Sequence, residues 1–195
     1  EWAPAAIDGI VDNKTQQDML LNAPLGCFII SRTNAPLIRI AMNYIKRGIP
    51  ANIQGRNIGE GLLFLVKKSR CKHLDSFITF LDKWEKKEVA RVIAKKKNPS
   101  FIQDKAECLR TLAETCANVD EIKAKIFELF HEKTADNIIN CGTTHQFKGL
   151  ENDIVYMLIN TFNEGKEEER NCKYVAITRA KKELHYVSYN KNSFV

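Results

Sequence analysis

GCFIISRTNAPLIRIAMNYIKRGIPANI, residues 26–53, is the stretch that decides the fold. Gly26 to Ser31 is a short apolar run behind a Pro-Leu-Gly turn, the pattern of a buried strand. A helix follows it. Asn34 is the expected N-cap, Pro36 sits in the first turn, and Leu37, Ile38, Ala41, Tyr44 and Ile45 form one apolar stripe until Gly48 stops the helix. Ile49 to Ile53 then returns as a strand that Pro50 keeps short. Strand, helix and strand in this order predict an α/β architecture.

Downstream the texture changes. Leu62 to Val66, Leu74 to Ala94, Ile102 to Cys116 and Asp120 to Phe130 carry helical apolar spacing with charged faces, and strand signals vanish. Asn98-Pro99-Ser100 breaks this region, and Asn118-Val119-Asp120 opens its last helix. The lysine-rich run from Lys83 to Lys97 is most simply a solvated helix face. Alternation then resumes, with strands expected at Asn137 to Gly142 and Asp153 to Ile159, a helix at Glu167 to Lys182, and a closing strand at Leu184 to Tyr189. The expected organisation is one mainly parallel sheet split in sequence: residues 1–58, a helical insertion over 59–133, and residues 134–195.

Composition narrows the class. A chain of 195 residues accommodates one domain with an insertion but not two large independent ones. Hydrophobic residues at 44% and charged ones at 28% are ordinary for a globular protein, and no apolar run approaches the ~18 residues of a membrane span. No membrane partner is expected. The six cysteines form no C-x-x-C pair, which argues for reduced, core-facing thiols and against a zinc site or a disulfide framework, so no metal site is expected. A net charge of +6 suits a polyanionic partner, although nucleic-acid-free proteins share it. The first residue is Glu1 and no signal-peptide pattern follows, so a piece of a longer, soluble, cytoplasmic protein is expected.

Two stretches carry chemistry. TTHQFKGLE, Thr143 to Glu151, is a polar loop at the carboxyl end of an expected buried strand, where ligands bind in open α/β sheets. Thr143, Thr144 and His145 suit phosphate oxygens, Gly149 permits close backbone approach, and Glu151 can accept bonds from a sugar hydroxyl. An ordinary polar connection between strands would have the same composition. His145 could equally be a hydrogen bonder that fixes the loop, and Lys148 could face a phosphate or neutralise Glu151. In EERNCKYVAITRAKKEL, Glu168 to Leu184, Arg179 stands among small residues near the end of the expected helix, placed either to reach an anion beyond its own sheet or to cap the helix. His73, His131 and His185 lack metal-like spacing and are expected at the surface or in packing.

The string T-x-H-x-x-K-G-L-E (Thr143 to Glu151) resembles motif V of UvrD/Rep-type superfamily 1 helicases, and E-E-R-x-x-x-Y-V-A-x-T-R-A (Glu168 to Ala180) resembles motif VI. I-I-S-R-T-N (Ile29 to Asn34) is similar to the R-[ST]-N motif that opens the C-terminal RecA-like lobe of that family, and Gly48-Ile49-Pro50 extends the match. The helical middle is unmatched. Asn171 stands where the family often has a second arginine, and Gly55 to Gly59 replaces its G-G-x-x-F-F stretch.

The resemblance implies a RecA-like three-layer fold and an ATP-dependent DNA helicase. ATP with Mg²⁺ would be held mainly by an N-terminal RecA-like lobe, since no G-x-x-x-x-G-K-[ST] loop occurs in this chain. Arg179 would be the arginine finger, Glu151 would bind the ribose, and Gly149 would let the loop approach the nucleotide. Arg32, Thr33, Asn34, Thr143, Thr144 and His145 would touch single-stranded DNA leading from a duplex junction, with 3′ to 5′ movement. The fragment alone would be inactive. Two other readings are a catalytically decayed docking module of a DNA repair or recombination complex, and a basic α/β binding module with no ATP partner. Retention of Glu151, Arg179 and both loops argues against decay.

Overall fold

The computed structural model describes residues 8–131, 134–163, 165 and 167–193. They divide into two compact units, one made of Glu1–Gln54 with Lys133–Val195 and the other of Gly55–Glu132.

The first unit holds β1 (Ile10–Lys14), α1 (Gln16–Asn22), β2 (Phe28–Ser31), α2 (Asn34–Lys46) and β3 (Ala51–Gln54). The second holds α3 (Arg56–Ser69), α4 (Leu74–Ala94), α5 (Ser100–Ala113), α6 (Val119–Leu129) and a two-residue strand, β4 (Phe130–His131). The chain then returns to the first unit with β5 (Ile139–Thr143), β6 (Asn152–Leu158), α7 (Glu167–Ile177) and β7 (Ala180–Val187). Six strands of the first unit form an all-parallel sheet in the order β1-β7-β6-β2-β5-β3. Every residue of β2 and of β5 is buried, as expected when helices cover both faces of a parallel sheet. This is the expected α/β class with a RecA-like three-layer build and a helical insertion.

Side-chain alternation along β2 divides the core between the two faces. Phe28 and Ile30 join Phe147, Val155, Met157, Cys172, Ala176 and Leu184 in one cluster, which α7 closes. Ile29 is fully buried, and so are Leu37, Ile38, Ala41 and Tyr44 of α2. The Tyr44 hydroxyl donates to the Met19 carbonyl at 2.8 Å and ties α2 to α1. Five of the six thiols are buried and Cys71 is half-buried; burial pushes the Cys27 thiol up to about 12.

Several expected boundaries shift. Thr33, not Asn34, is the N-cap of α2, with extended backbone at φ −127° and ψ 164°, and Asn34 is the first helical residue. Helix α7 ends at Ile177 and β7 starts at Ala180, whereas the expected helix runs from Glu167 to Lys182. Ala180 to Glu183 contains no β-branched residue, so local preference favours helix there. Pairing with β6 from Ala180, joined by β1 from Glu183 onward, overrides it.

The β1–α1 segment was not expected, although Thr15 and Asp18 form a capping box that the sequence spells as T-x-x-D. Of the two places expected for His185, surface or packing, it takes the second: it is buried, with Nδ1 2.6 Å from Asp12 Oδ1 and Nε2 3.2 Å from Glu183 Oε2, joining the exposed edge strand β1 to β7.

In the helical unit, Asn118 caps α6 by accepting from the Glu121 N–H at 2.9 Å, and Arg110 of α5 holds Asp82 of α4 at 2.8 Å. Lys83, Lys86, Lys87 and Lys95 to Lys97 are exposed along and just past α4. Among the described residues no helix is long and apolar enough to cross a membrane.

Candidate functional site

Parallel pairing of β2 with β5 sets Ser31 opposite Thr143, so the segments that follow the two strands leave the sheet side by side at its carboxyl edge. Arg32, Thr33 and Asn34 follow one strand. Thr144 and His145 follow the other.

The loop after β5 is shaped by one apolar side chain. Gln146 and Phe147 turn back to the Thr143 carbonyl with N–H bonds of 2.9 and 3.2 Å, and Leu150 does the same to Phe147 at 3.0 Å. These turns point Phe147 inward, where it is fully buried and stacked on Phe28 with ring centroids 4.2 Å apart. Gly142 makes room for it, since a Cβ there would lie 2.7 Å from the Phe147 ring.

With Phe147 as the anchor, His145, Lys148, Gly149, Leu150 and Glu151 face outward. Thr143 and Thr144 are buried at the base of the loop, and the Thr144 hydroxyl has no hydrogen-bond partner among the described residues. Gly149 has φ +83°, a conformation that favours glycine, and nothing lies within 4 Å of where its Cβ would be. Among the described residues Lys148 and Glu151 form no ion pair with each other, and the His145 ring makes no hydrogen bond. From within the core the loop is fixed by Phe147.

Arg179 lies in the turn between α7 and β7 rather than on the helix. Its Nε donates to the Val175 carbonyl at 2.9 Å, Nη1 to the Leu150 carbonyl at 2.9 Å, and Nη2 to the Thr178 hydroxyl at 3.0 Å. The Arg179 carbonyl in turn accepts from the Asn152 N–H at 2.9 Å. The guanidinium therefore does cap the helix end, and it also clasps the loop that carries Gly149 and Glu151. These bonds use three of its five N–H groups. No carboxylate among the described residues pairs with it.

Arg32 is placed differently from its expected neighbours. Its Nε reaches both oxygens of Glu169 at 3.0 and 2.9 Å, and its Nη2 reaches Oε1 at 2.8 Å. Glu169 raises the Arg32 guanidinium above its ordinary range. Thr33 donates its N–H to the Ser31 hydroxyl at 3.3 Å, and Asn34 is buried in the first turn of α2.

Phe147 and Glu169 are the residues that sequence reading passed over. A lone aromatic inside a polar loop was the available signal for Phe147. Glu169 belongs to the E-E-R string and has the charge that Arg32 requires, but nothing in the sequence pairs residues so far apart.

Gly149 offers an open backbone approach, Glu151 an exposed carboxylate able to accept from hydroxyls, and Arg179 a guanidinium with no carboxylate partner among the described residues and two N–H groups in hand. Among the described residues no three His, Cys, Asp or Glu side chains gather as metal ligands would.

No curated protein matches the chain. Residues 67–192, about two thirds of the chain, match the UvrD-like helicase C-terminal domain, and the matched span includes the loop after β5, α7 and Arg179. The chain belongs to the UvrD-like helicase C-terminal domain family and is the C-terminal lobe of a UvrD/Rep-type helicase.

Proposed function

We propose that this lobe is the trans-acting half of an ATP-dependent DNA helicase motor, completing a nucleotide site whose phosphate loop lies on the N-terminal lobe. The single observation that supports this best is the clasp of Arg179 on the Leu150 carbonyl at 2.9 Å, which ties the arginine to the loop residue that stands between Gly149 and Glu151. ATP bound with Mg²⁺ supplies the free energy. Arg179 then stabilises charge developing on the transferred phosphoryl group, Glu151 accepts from the ribose hydroxyls, and Gly149 lets the loop backbone come close.

Single-stranded DNA runs along the carboxyl edge of the sheet, touched by Thr33 and His145, with the buried Asn34, Thr143 and Thr144 beneath these contacts. Arg32 shares this edge, but its guanidinium is engaged with Glu169. Closing and opening of the cleft against the other lobe moves these contacts along the strand away from a duplex junction. Phosphate-directed groups of this kind position a strand without reading its bases.

His145 is exposed and carries no other duty, so it is the probe of the strand path. In the full-length helicase, His145→Ala should weaken single-strand binding roughly threefold to tenfold, the worth of about one hydrogen bond. Fluorescence anisotropy with a labelled oligonucleotide measures this. Unchanged affinity contradicts the path.

A further inference from the structure

Arg32 is held from its backbone to the tip of its side chain. Its N–H donates to the Thr161 hydroxyl at 3.0 Å, the Ser31 hydroxyl donates to the same oxygen at 3.3 Å, and Thr161 itself is fixed on the Leu158 carbonyl at 2.7 Å. The guanidinium then meets Glu169 through both carboxylate oxygens, with the two side chains 25% and 16% exposed. A charge-assisted bidentate pair of this burial is directional and specifies geometry. A DNA phosphate would have to compete with Glu169 for a guanidinium whose Nε and Nη2 are already committed to it.

The partner matters because of what α7 carries. Only Cys172 and Ala176 of this helix are buried, and both are small. Ile177 packs against the same cluster from partial burial, so the apolar contacts of the helix begin at Cys172 and its first turn has no buried side chain. The pair with Arg32 adds a fixed point in the first turn. From there the helix runs as a rigid rod, at roughly 1.5 Å per residue, to the turn in which the Arg179 N–H is bonded to the Ala176 carbonyl at 3.2 Å and its Nε to Val175.

We propose that Arg32 is a positioning residue: it acts through Glu169 to seat α7, and thereby sets where Arg179 stands, and it does not contact the DNA strand. This rests on the reading of Arg179 as the group that acts on ATP. It converts an arginine at the strand edge into part of the support of the nucleotide site.

The test has two arms on three variants, Arg32→Ala, Glu169→Gln and the double. In this chain, hydrogen exchange of the α7 amides should lose about tenfold of its protection in each variant, while β2 and β6 keep theirs. In the full-length helicase, each variant should lower kcat for DNA-stimulated ATP hydrolysis roughly tenfold, with KM for ATP and the single-strand Kd held within about twofold, and the double should lose no more than either single.

Two results would overturn the proposal. One is α7 protection unchanged in Glu169→Gln, which is nearly isosteric and spares the fold even where Arg32→Ala does not. The other is a phosphate-contact signature: weaker strand binding in Arg32→Ala but not in Glu169→Gln, with a salt slope shallower by about 0.7. A wild-type helicase without DNA-stimulated hydrolysis would refute the motor reading, and the exchange arm would still judge the seating of α7.

Discussion

Replacing Arg179 by alanine in the full-length helicase should cut the turnover of DNA-stimulated ATP hydrolysis by roughly a thousandfold or more, the range in which arginine fingers act in other nucleotide hydrolases. The expectation follows from its surroundings. The guanidinium has no acid partner among the described residues, it stands on a short turn braced by bonds to Val175, Leu150 and Thr178, and it keeps two N–H groups for an incoming anion. A group that meets charge only as it develops lowers the barrier without tightening the ground state. KM for ATP should therefore change by less than about threefold.

Arg179→Lys separates charge from geometry. A lysine ammonium cannot reproduce a fork that clasps the Leu150 and Val175 carbonyls while presenting donors outward, so most of the loss should persist. Steady-state kinetics at saturating DNA, with thermal melting to confirm folding, measures both. A loss confined to KM would assign Arg179 to capping and loop support alone.

The largest effect on stability is expected from Phe147→Ala, at about 3–5 kcal/mol in urea denaturation, the usual cost of deleting a core phenylalanine. Phe147 is fully buried, stacks on Phe28 at 4.2 Å, and belongs to the cluster that also seats Cys172 and Ala176 of α7. The cavity would open directly beneath the loop. Gly142, which leaves space for the ring, would then face a void. Phe147→Leu should recover a good part of the loss, because it refills much of the volume. A loss below about 1 kcal/mol for Phe147→Ala would show that the loop does not hang on this side chain.

Where local chemistry and tertiary demand agree, the sequence is a good guide. The stripe of α2, the stop at Gly48 and the fully buried β2 all follow from the pattern of residues 26–53, and Asn118 opens α6 as its side-chain chemistry requires. The misreading at Ala180 to Glu183 arises because pairing with β6, and with β1 from Glu183, imposes an extended conformation on residues that would continue a helix if left alone. Strand β1 was missed for a related reason. It is short and mostly exposed, and it is held by the contact between His185 and Asp12, residues distant in sequence.

The candidate site divides along the same line. Gly149 was legible because a positive φ has a residue preference, and the polar face of Thr143 to Glu151 was legible because it ends a buried strand. The engagement of Arg32 was not, since only the fold brings Glu169 to it.

The most direct test of the account compares ATP hydrolysis by this 195-residue chain with hydrolysis by the same lobe joined to its N-terminal partner, each with and without single-stranded DNA. On the proposed reading Arg179, Glu151 and Gly149 act on phosphates and ribose presented by another lobe, so the chain alone should hydrolyse ATP no faster than buffer while the joined protein responds strongly to DNA. Robust DNA-stimulated hydrolysis by the 195-residue chain alone would contradict the assignment of this lobe as the trans-acting half of the motor.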